Sequence, residues 1–213
     1  MRIKICGITN LEQGQAIAQF GATALGFICV RKSPRYLPPE SIATITPHLP
    51  STVSPIGVFA NSDLSDIISI VRETQFTGVQ LHGQESPEFC QQLRSQLPDV
   101  ELIKAIAVQT SESLHQTETY ANAVDTFLFD AYAPQQLGGT GKSFNWELLK
   151  NFTSPRPWFL AGGLNPDNIQ RALEIVKPDG IDLSSGVEKS PGNKDLNLVA
   201  NLFNLIWKKE YEL

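Results

Sequence analysis

Eight short strand-like runs, separated by roughly 20 to 30 residues, constrain the fold of this chain more than any other feature. They cover residues 2–6, 24–30, 55–59, 78–81, 102–106, 127–129, 158–161 and 180–183. Most of them are continuously apolar, which is typical of strands buried on both faces in a parallel sheet. Each interval is long enough for one crossover helix, so the pattern indicates a strand–helix unit repeated along the chain.

Eight such units predict a single domain over residues 1–213 that folds as a (β/α)8 barrel, the TIM-barrel architecture. A doubly wound open sheet is the alternative, because periodicity alone does not show whether the sheet closes. The chain has no low-complexity segment or linker that would divide it, and it is long enough to bury a sizeable core.

Capping residues and apolar stripes predict several of the helices between these strands. The predicted caps are Thr9 in a capping box with Glu12, Ser62 or Asp63, Ser86 before Pro87, Asn165 before Pro166, and Asp195. The second and fifth crossovers give weaker signals, because two prolines delay the second helix and residues 111–122 are mostly polar.

Charge and cysteine content exclude several classes of protein. A net charge of -5 without a basic cluster argues against nucleic acid as a partner. No signal segment and no apolar stretch of membrane-spanning length is present, so we expect a cytoplasmic location and no membrane association. The three cysteines, Cys6, Cys29 and Cys90, are odd in number and lack metal-site spacing. We therefore expect neither a disulfide framework nor a metal site.

Barrel chemistry is expected at the carboxyl ends of the strands and in the loops that follow them. Few polar residues occupy such places in this sequence. The candidates are Cys6, Arg35 within the segment 32–36, Gln80, His82, Asp130, Gly162, Gly163, Ser184, Ser185 and Gly186.

The glycine and serine loops after the last two strands predict a phosphate site. Gly162 and Gly163 allow close approach of the backbone, and Ser184–Ser185–Gly186 can open a short extra helix whose N–H groups face an anion. The alternative is ordinary turn chemistry. A second glycine-rich segment, residues 138–143, lacks the first glycine of a P-loop because position 136 is Gln. We interpret this segment as a lid over the barrel mouth.

Cys6 and Asp130 end two different strands and together supply the base and acid that a proton-shuttling isomerase needs. The alternatives are a buried, inert thiol and a loop-capping carboxylate. Arg35 suits a substrate carboxylate or is simply a surface residue. His82 either orients substrate or stabilises its own turn, and no second ligand beside it suggests a metal.

Taken together, these segments resemble the phosphoribosylanthranilate isomerases of tryptophan biosynthesis. The matching segments are 4–9, 32–36, 79–83, 138–142 with Phe144 and Trp146, 161–166, and 182–188 with Pro191–Gly192 and Lys194–Asp195. The resemblance implies a cofactor-free barrel enzyme that converts N-(5-phosphoribosyl)anthranilate to 1-(2-carboxyphenylamino)-1-deoxyribulose 5-phosphate in an Amadori rearrangement. It implies a small-molecule partner only, in a monomer or a homodimer.

Carried over by position, the resemblance implies that Asp130 is the general acid and Cys6 the general base. It places Arg35 opposite the anthranilate carboxylate, and Gln80 and His82 beside the substrate. The loops after the last two strands match the family's phosphate loops. The alternatives are another phosphosugar barrel enzyme of the histidine or tryptophan pathway, or a barrel that binds phosphate without catalysis. The histidine-pathway isomerase would have Asp at position 6, and Lys4 lies too early in its strand to serve as the lysine of indole-glycerol-phosphate synthase.

Overall fold

Eight parallel strands close into a barrel in the computed structural model, which describes residues 1–130 and 146–211. The strands are β1 (Arg2–Cys6), β2 (Ala24–Ile28), β3 (Ser54–Phe59), β4 (Gly78–Leu81), β5 (Glu101–Ala107), β6 (Thr126–Asp130), β7 (Trp158–Ala161) and β8 (Gly180–Leu183). β1 pairs with both β2 and β8, so the sheet has no free edge. The predicted (β/α)8 barrel is confirmed, and the open sheet is wrong.

The helices form the outer layer of the barrel. They are α1 (Leu11–Gln19), α2 (Pro39–Ala43), α3 (Leu64–Thr74), α4 (Pro87–Gln96), α5 (Gln116–Tyr120), α6 (Ile169–Ile175) and α7 (Leu196–Tyr211). The two crossovers with weak signals contain the shortest of these helices, α2 and α5, each supplemented by a 3-10 turn, Thr46–His48 and Ser111–His115. After β8, the 3-10 turn Ser185–Val187 leads into a hairpin of β9 (Glu188–Ser190) and β10 (Asn193–Lys194).

Three of the five predicted helix starts are confirmed, those at Asp63, Ser86 and Asp195. The Ser86 side chain accepts a hydrogen bond at 3.2 Å from the third residue of α4, with proline in the first helical position. The Asp195 carboxylate accepts hydrogen bonds from two backbone N–H groups of α7. Asp63 precedes α3 without a side-chain hydrogen bond to the helix.

The other two starts are wrong. Asn10 caps α1, and the Thr9 hydroxyl instead donates to the Gly192 carbonyl at 2.6 Å, which joins the loop after β1 to the hairpin after β8. The Asn165 side chain accepts hydrogen bonds from Asp167 N–H at 2.9 Å and Asn168 N–H at 3.2 Å, but these close a separate turn, and α6 begins after Asn168.

Two apolar cores hold the fold together. The barrel interior contains a small cluster, and the interface between barrel and helices contains a much larger one. The interior cluster consists of Ala24, Ile56, Ile103, Ala105, Leu128, Phe159 and Ala161. Each large apolar side chain buried in either core contributes roughly 1.5–3 kcal/mol to folding. The described part of the barrel interior is therefore a packed core, and in barrels of this kind ligands bind at the carboxyl ends of the strands.

The amino end of the barrel is closed by a polar network. Arg2 forms two hydrogen bonds with the Glu101 carboxylate, at 2.6 and 2.7 Å, and its guanidinium lies 4.7 Å from the Phe159 ring centroid. Thr126 donates to the same carboxylate at 2.7 Å. Gly180 makes room for the aromatic ring, since a Cβ there would lie 2.5 Å from it. These contacts leave the carboxyl end as the place for a ligand.

Candidate active site

A cavity of about 390 Å³ lies at the carboxyl end of the barrel. All ten residues that the sequence analysis selected line it: Cys6, Arg35, Gln80, His82, Asp130, Gly162, Gly163, Ser184, Ser185 and Gly186. The described part of its wall also includes Ser33, Asp182 and an apolar set from β2, β3, β6 and β7. Seven of the eight strands, all except β5, therefore contribute described residues from their carboxyl ends or following loops to one site.

Cys6 ends β1 with its side chain inside the barrel. Gly26 on the neighbouring strand is required there, because a Cβ would lie 2.6 Å from the Cys6 sulfur. The Cys6 carbonyl accepts a hydrogen bond at 3.0 Å from the Ser184 hydroxyl. Burial raises the pKa of the Cys6 thiol, while the positive charge of Lys4 acts in the opposite direction.

Asp130 ends β6 on another side of the same cavity, and His82 reaches it from the end of β4. His82 Nε2 lies 3.3 Å from Asp130 Oδ2, and His82 Nδ1 lies 2.9 Å from Gln80 Nε2. If the Gln80 amide donates to Nδ1, the neutral imidazole carries its proton on Nε2 and donates it toward Asp130. Gln80 and His82 therefore orient the carboxyl group that the sequence analysis selected as the acid.

Arg35 reaches the cavity from the loop after β2 and is held by a carboxylate behind it. Its guanidinium donates to Glu188 through Nε at 2.9 Å and through Nη2 at 2.6 Å. Lys194 donates to the same carboxylate at 2.7 Å and also donates to the Cys6 carbonyl. Burial alone would raise the pKa of Glu188, but hydrogen bonds from Arg35 and Lys194 hold it below its usual range. Glu188 thus fixes the direction of the guanidinium.

The two predicted phosphate loops touch each other above the barrel. Gly162 and Gly163 have φ angles of 93° and 66°, which favour glycine. A Cβ on Gly186 would lie 1.9 Å from the Leu164 carbonyl, so only glycine permits this approach of the two loops. The 3-10 turn Ser185–Val187 begins at the same place, and the first N–H groups of such a turn have no helical acceptor.

Sequence reasoning missed the buried charges beneath and behind this site. Lys4 lies in the barrel interior with its Nζ 2.9 Å from Asp182 Oδ1, and it is not among the residues that line the cavity. Lys104, on β5, points outward toward the helices, and its Nζ lies 2.9 Å from the Glu85 carboxylate. One inference could have found the pairing of Lys4 with Asp182. If the barrel closes with β1 beside β8, the two residues lie directly opposite each other on neighbouring strands.

The described residues contain neither a cluster of three or more side chains suited to holding a metal ion nor a helix long and apolar enough to span a bilayer. All three cysteines are free thiols. The predicted lid, residues 138–143, lies outside the described part of the chain.

Comparison with known proteins agrees with this geometry. The family model for N-(5'-phosphoribosyl)anthranilate isomerase matches residues 3–205. The enzyme of that name from Crocosphaera subtropica is 58% identical over 208 residues, which cover 98% of this chain and 99% of the relative. A match of this extent shows that the chain belongs to the same family as these relatives.

Solved structures give the same result. Phosphoribosylanthranilate isomerase from Thermotoga maritima superposes with a TM-score of 0.88 at 37% identity, covering 98% of this chain and 99% of that one. Another structure of the enzyme, in complex with reduced 1-(o-carboxyphenylamino)-1-deoxyribulose 5-phosphate, has a TM-score of 0.85 at 34% identity, covering 96% and 97%. A third structure, of monomers generated from the dimeric Thermotoga maritima enzyme, has a TM-score of 0.83 at 33% identity, covering 96% and 97%. This chain therefore belongs to the N-(5'-phosphoribosyl)anthranilate isomerase family.

Proposed function

We propose that this isomerase works with Asp130 as its general acid and Cys6 as its general base. The reaction is the Amadori rearrangement of N-(5'-phosphoribosyl)anthranilate to 1-(2-carboxyphenylamino)-1-deoxyribulose 5-phosphate in tryptophan biosynthesis. One observation carries the assignment: a thiol and a carboxyl group from β1 and β6, far apart in sequence, line the same cavity. Both groups can therefore reach one bound sugar.

The first half of the reaction opens the ribose ring. The Asp130 carboxylic acid gives its proton to the ring oxygen as the bond from that oxygen to C1 breaks. The nitrogen lone pair forms the C1=N bond of a protonated Schiff base. His82 Nε2, 3.3 Å from the Asp130 carboxyl group, keeps the acid directed into the cavity.

The second half moves hydrogen from C2 to C1. The Cys6 thiolate takes the C2 proton, and the electrons left behind form the C1=C2 bond of an enolamine while the nitrogen becomes neutral. The enolamine then becomes the ketone as C1 gains a proton and the C2 hydroxyl loses one. Product and substrate have the same atoms and charge, so the rearrangement consumes no oxidant or reductant.

Binding of the substrate uses the two ends of the molecule. The loops around Gly163 and Gly186 supply backbone N–H groups for the phosphate, in the position where barrels commonly hold one. Arg35 faces the anthranilate carboxylate. Two of its three guanidinium nitrogens donate to Glu188, and Nη1, which has no acceptor among the described residues, is the nitrogen that we assign to the substrate carboxylate.

Two variants test the acid and base directly. Cys6→Ser and Asp130→Asn are each expected to lower kcat by at least about a hundredfold with KM nearly unchanged, as for loss of a general acid or base. The assay follows the loss of anthranilate-type fluorescence when the substrate is generated in situ. Cys29→Ser is the matched control, because Cys29 does not line the cavity, and it should retain full turnover. Full activity of both site variants would show that the assignment is wrong.

The same assay distinguishes the proposed function from the alternative functions. A phosphate-binding barrel without catalysis would leave the fluorescence unchanged even with wild-type protein. A barrel specific for another phosphosugar would turn over that compound and not this one.

For Arg35, the alternative is a residue that serves only to hold the hairpin through Glu188, and Arg35→Lys would then leave KM unchanged.

A further inference from the structure

Lys4 is a fully buried lysine that the proposed reaction steps do not use, although it lies directly beneath the reactive thiol. Residues two apart on a strand point to the same side, so Lys4 and Cys6 both face the barrel interior. Lys4 is 0% exposed. A Cβ on Gly26 would lie 2.6 Å from the Cys6 sulfur and 3.1 Å from the Lys4 nitrogen. The Lys4 nitrogen and the Cys6 sulfur therefore lie close together over the same glycine, and the positive charge of Lys4 favours the thiolate.

The charges around this contact favour a lysine that keeps its proton. Burial lowers the pKa of Lys4, but the negative charges of Asp182 and Cys6 outweigh burial, and the pKa is raised overall. For the Cys6 thiol, burial raises the pKa and Asp182 adds to the increase. Lys4 and Lys194 oppose both effects.

The remaining charged groups face the thiol from other elements. Arg35 approaches from the loop after β2, His82 from the end of β4, and Asp130 from the end of β6. Lys194 contacts the Cys6 carbonyl from the hairpin after β8. Among the described cations around the thiol, Lys4 is the one whose charge most strongly lowers the pKa of Cys6, ahead of Lys194.

We propose that Lys4 is a positioning residue that stabilises the thiolate form of Cys6 by donating a hydrogen bond to its sulfur, while Asp182 holds the ammonium group in place from the other side. This inference rests on the assignment of Cys6 as the base. It gives the Lys4–Asp182 pair a role in the reaction. The opposing view is that the pair only fills the barrel interior.

The test measures the pH dependence of Cys6 alkylation by iodoacetamide, with the labelled peptide quantified by mass spectrometry. The other thiols interfere little, because burial raises the pKa of Cys29 to about 12 and that of Cys90 to about 11. The midpoint of the profile reports the thiol pKa and is independent of turnover. Peptide analysis separates the three cysteines in any case.

Two variants are compared, Asp182→Asn and the double variant Lys4→Met/Asp182→Asn. The single variant removes the anion that opposes thiolate formation, so its midpoint should move to lower pH than in the wild type. Adding Lys4→Met should move the midpoint back up by at least about one pH unit, the usual effect of one close opposite charge. Lys4→Met alone is avoided because it leaves Asp182 as a buried anion without a partner, whereas in Asp182→Asn the Cys6 thiolate remains as a counter-ion for Lys4.

Equal midpoints in the single and double variants would overturn the proposal. If the double variant does not fold, the alkylation midpoint of Asp182→Asn is compared with that of the wild type. An unchanged or higher midpoint then overturns the proposal. Kinetics distinguish this failure from failure of the proposed function. Midpoints that move while Cys6→Ser stays fully active would leave Lys4 as a thiolate partner in a protein whose base lies elsewhere. Equal midpoints together with an inactive Cys6→Ser would support Cys6 as the base and contradict the proposed role of Lys4.

Discussion

Lys4 and Lys104 are both buried strand lysines, and each lies 2.9 Å from a carboxylate. Each also faces a cysteine, Cys6 in the first case and Cys90 in the second. The difference lies in the side of the barrel wall on which each pair is found. Lys4 points into the barrel under a thiol that lines the cavity, whereas Lys104 points outward toward the helices, where Cys90 is fully buried.

The outer pair, Lys104 and Glu85, stabilises the conformation of the loop after β4. Lys104 donates to the Gly83 carbonyl at 2.7 Å, and Glu85 accepts hydrogen bonds from Asn61 N–H at 2.8 Å and from Gly83 N–H at 3.0 Å. Tyr120 donates to the Glu85 carbonyl at 2.8 Å. These contacts tie the loop after β4, next to His82, to the loop after β3. The same ion-pair chemistry therefore shapes a loop outside the barrel and sets the charge around a reactive group inside it.

Of the substitutions that distinguish the Lys4–Asp182 pair from the Lys104–Glu85 pair, Lys104→Met should have the largest effect, on the free energy of unfolding. The substitution leaves Glu85 buried without its cation, which should lower the free energy of unfolding by about 3–5 kcal/mol. Urea denaturation measures the loss. The midpoint of Cys6 alkylation should stay at its wild-type value, because Lys104 lies on the other side of the barrel wall.

Lys104→Met/Glu85→Gln is the matched control for that experiment, since it removes both charges and should recover much of the lost stability. A Cys6 midpoint that moves as far in Lys104→Met as in the Lys4 double variant would break the comparison. Both lysines would then act through the fold as a whole.

The sequence predicted the barrel because its signals are local. Each strand run, and caps such as Ser86 before Pro87, can be read within a few residues. The capping box at Thr9 failed because the Thr9 side chain points toward Gly192, 183 residues away, to which its hydroxyl donates, and Asn10 caps the helix instead. Competition from distant parts of the chain is invisible to a rule based on neighbouring residues.

The site shows the same limit. Residues at strand ends were predictable from barrel architecture, and all ten line one cavity. Ile3 and Ile5 alternate with charged residues along β1, a pattern typical of a strand whose two faces have different surroundings. It did not indicate that Lys4 lies inside the barrel, because its partner Asp182 is on the last strand. Only closure of the sheet brings the two together.

A smaller effect is expected from two glycine substitutions that overpack opposite ends of the barrel. Gly26→Ala places a Cβ 2.6 Å from the Cys6 sulfur, and Gly180→Ala places one 2.5 Å from the Phe159 ring. Each should lower the free energy of unfolding by about 1–3 kcal/mol, measured by urea denaturation. Only Gly26→Ala should also slow Cys6 alkylation and turnover, since it displaces the thiol from Lys4. Equal kinetic losses in both variants would mean that general loosening of the barrel, and not the local contact, controls the site.

The smallest expected effect concerns stability in acid and sharpens the role of the outer pair. Burial alone would raise the pKa of Glu85, but hydrogen bonds from Lys104 and from Asn61 N–H hold it below its usual value of 4.5. A carboxyl group whose pKa is lower in the folded state stabilises the protein above its unfolded pKa. That contribution is lost as the pH falls through the folded value. Wild-type stability should therefore decrease as the pH falls below about 4.5.

In Lys104→Met/Glu85→Gln this decrease should be shallower, because the titrating group is absent. It should not vanish, since neighbouring cations and hydrogen bonds also lower the pKa values of Glu101 and Glu188. Urea midpoints between pH 3 and pH 7 measure both profiles. Parallel profiles for the two proteins would mean that Glu85 gains its charge as easily in the unfolded chain as in the folded one. The ion pair would then contribute only shape to the loop beside His82, and the difference between the two lysines would be one of position alone.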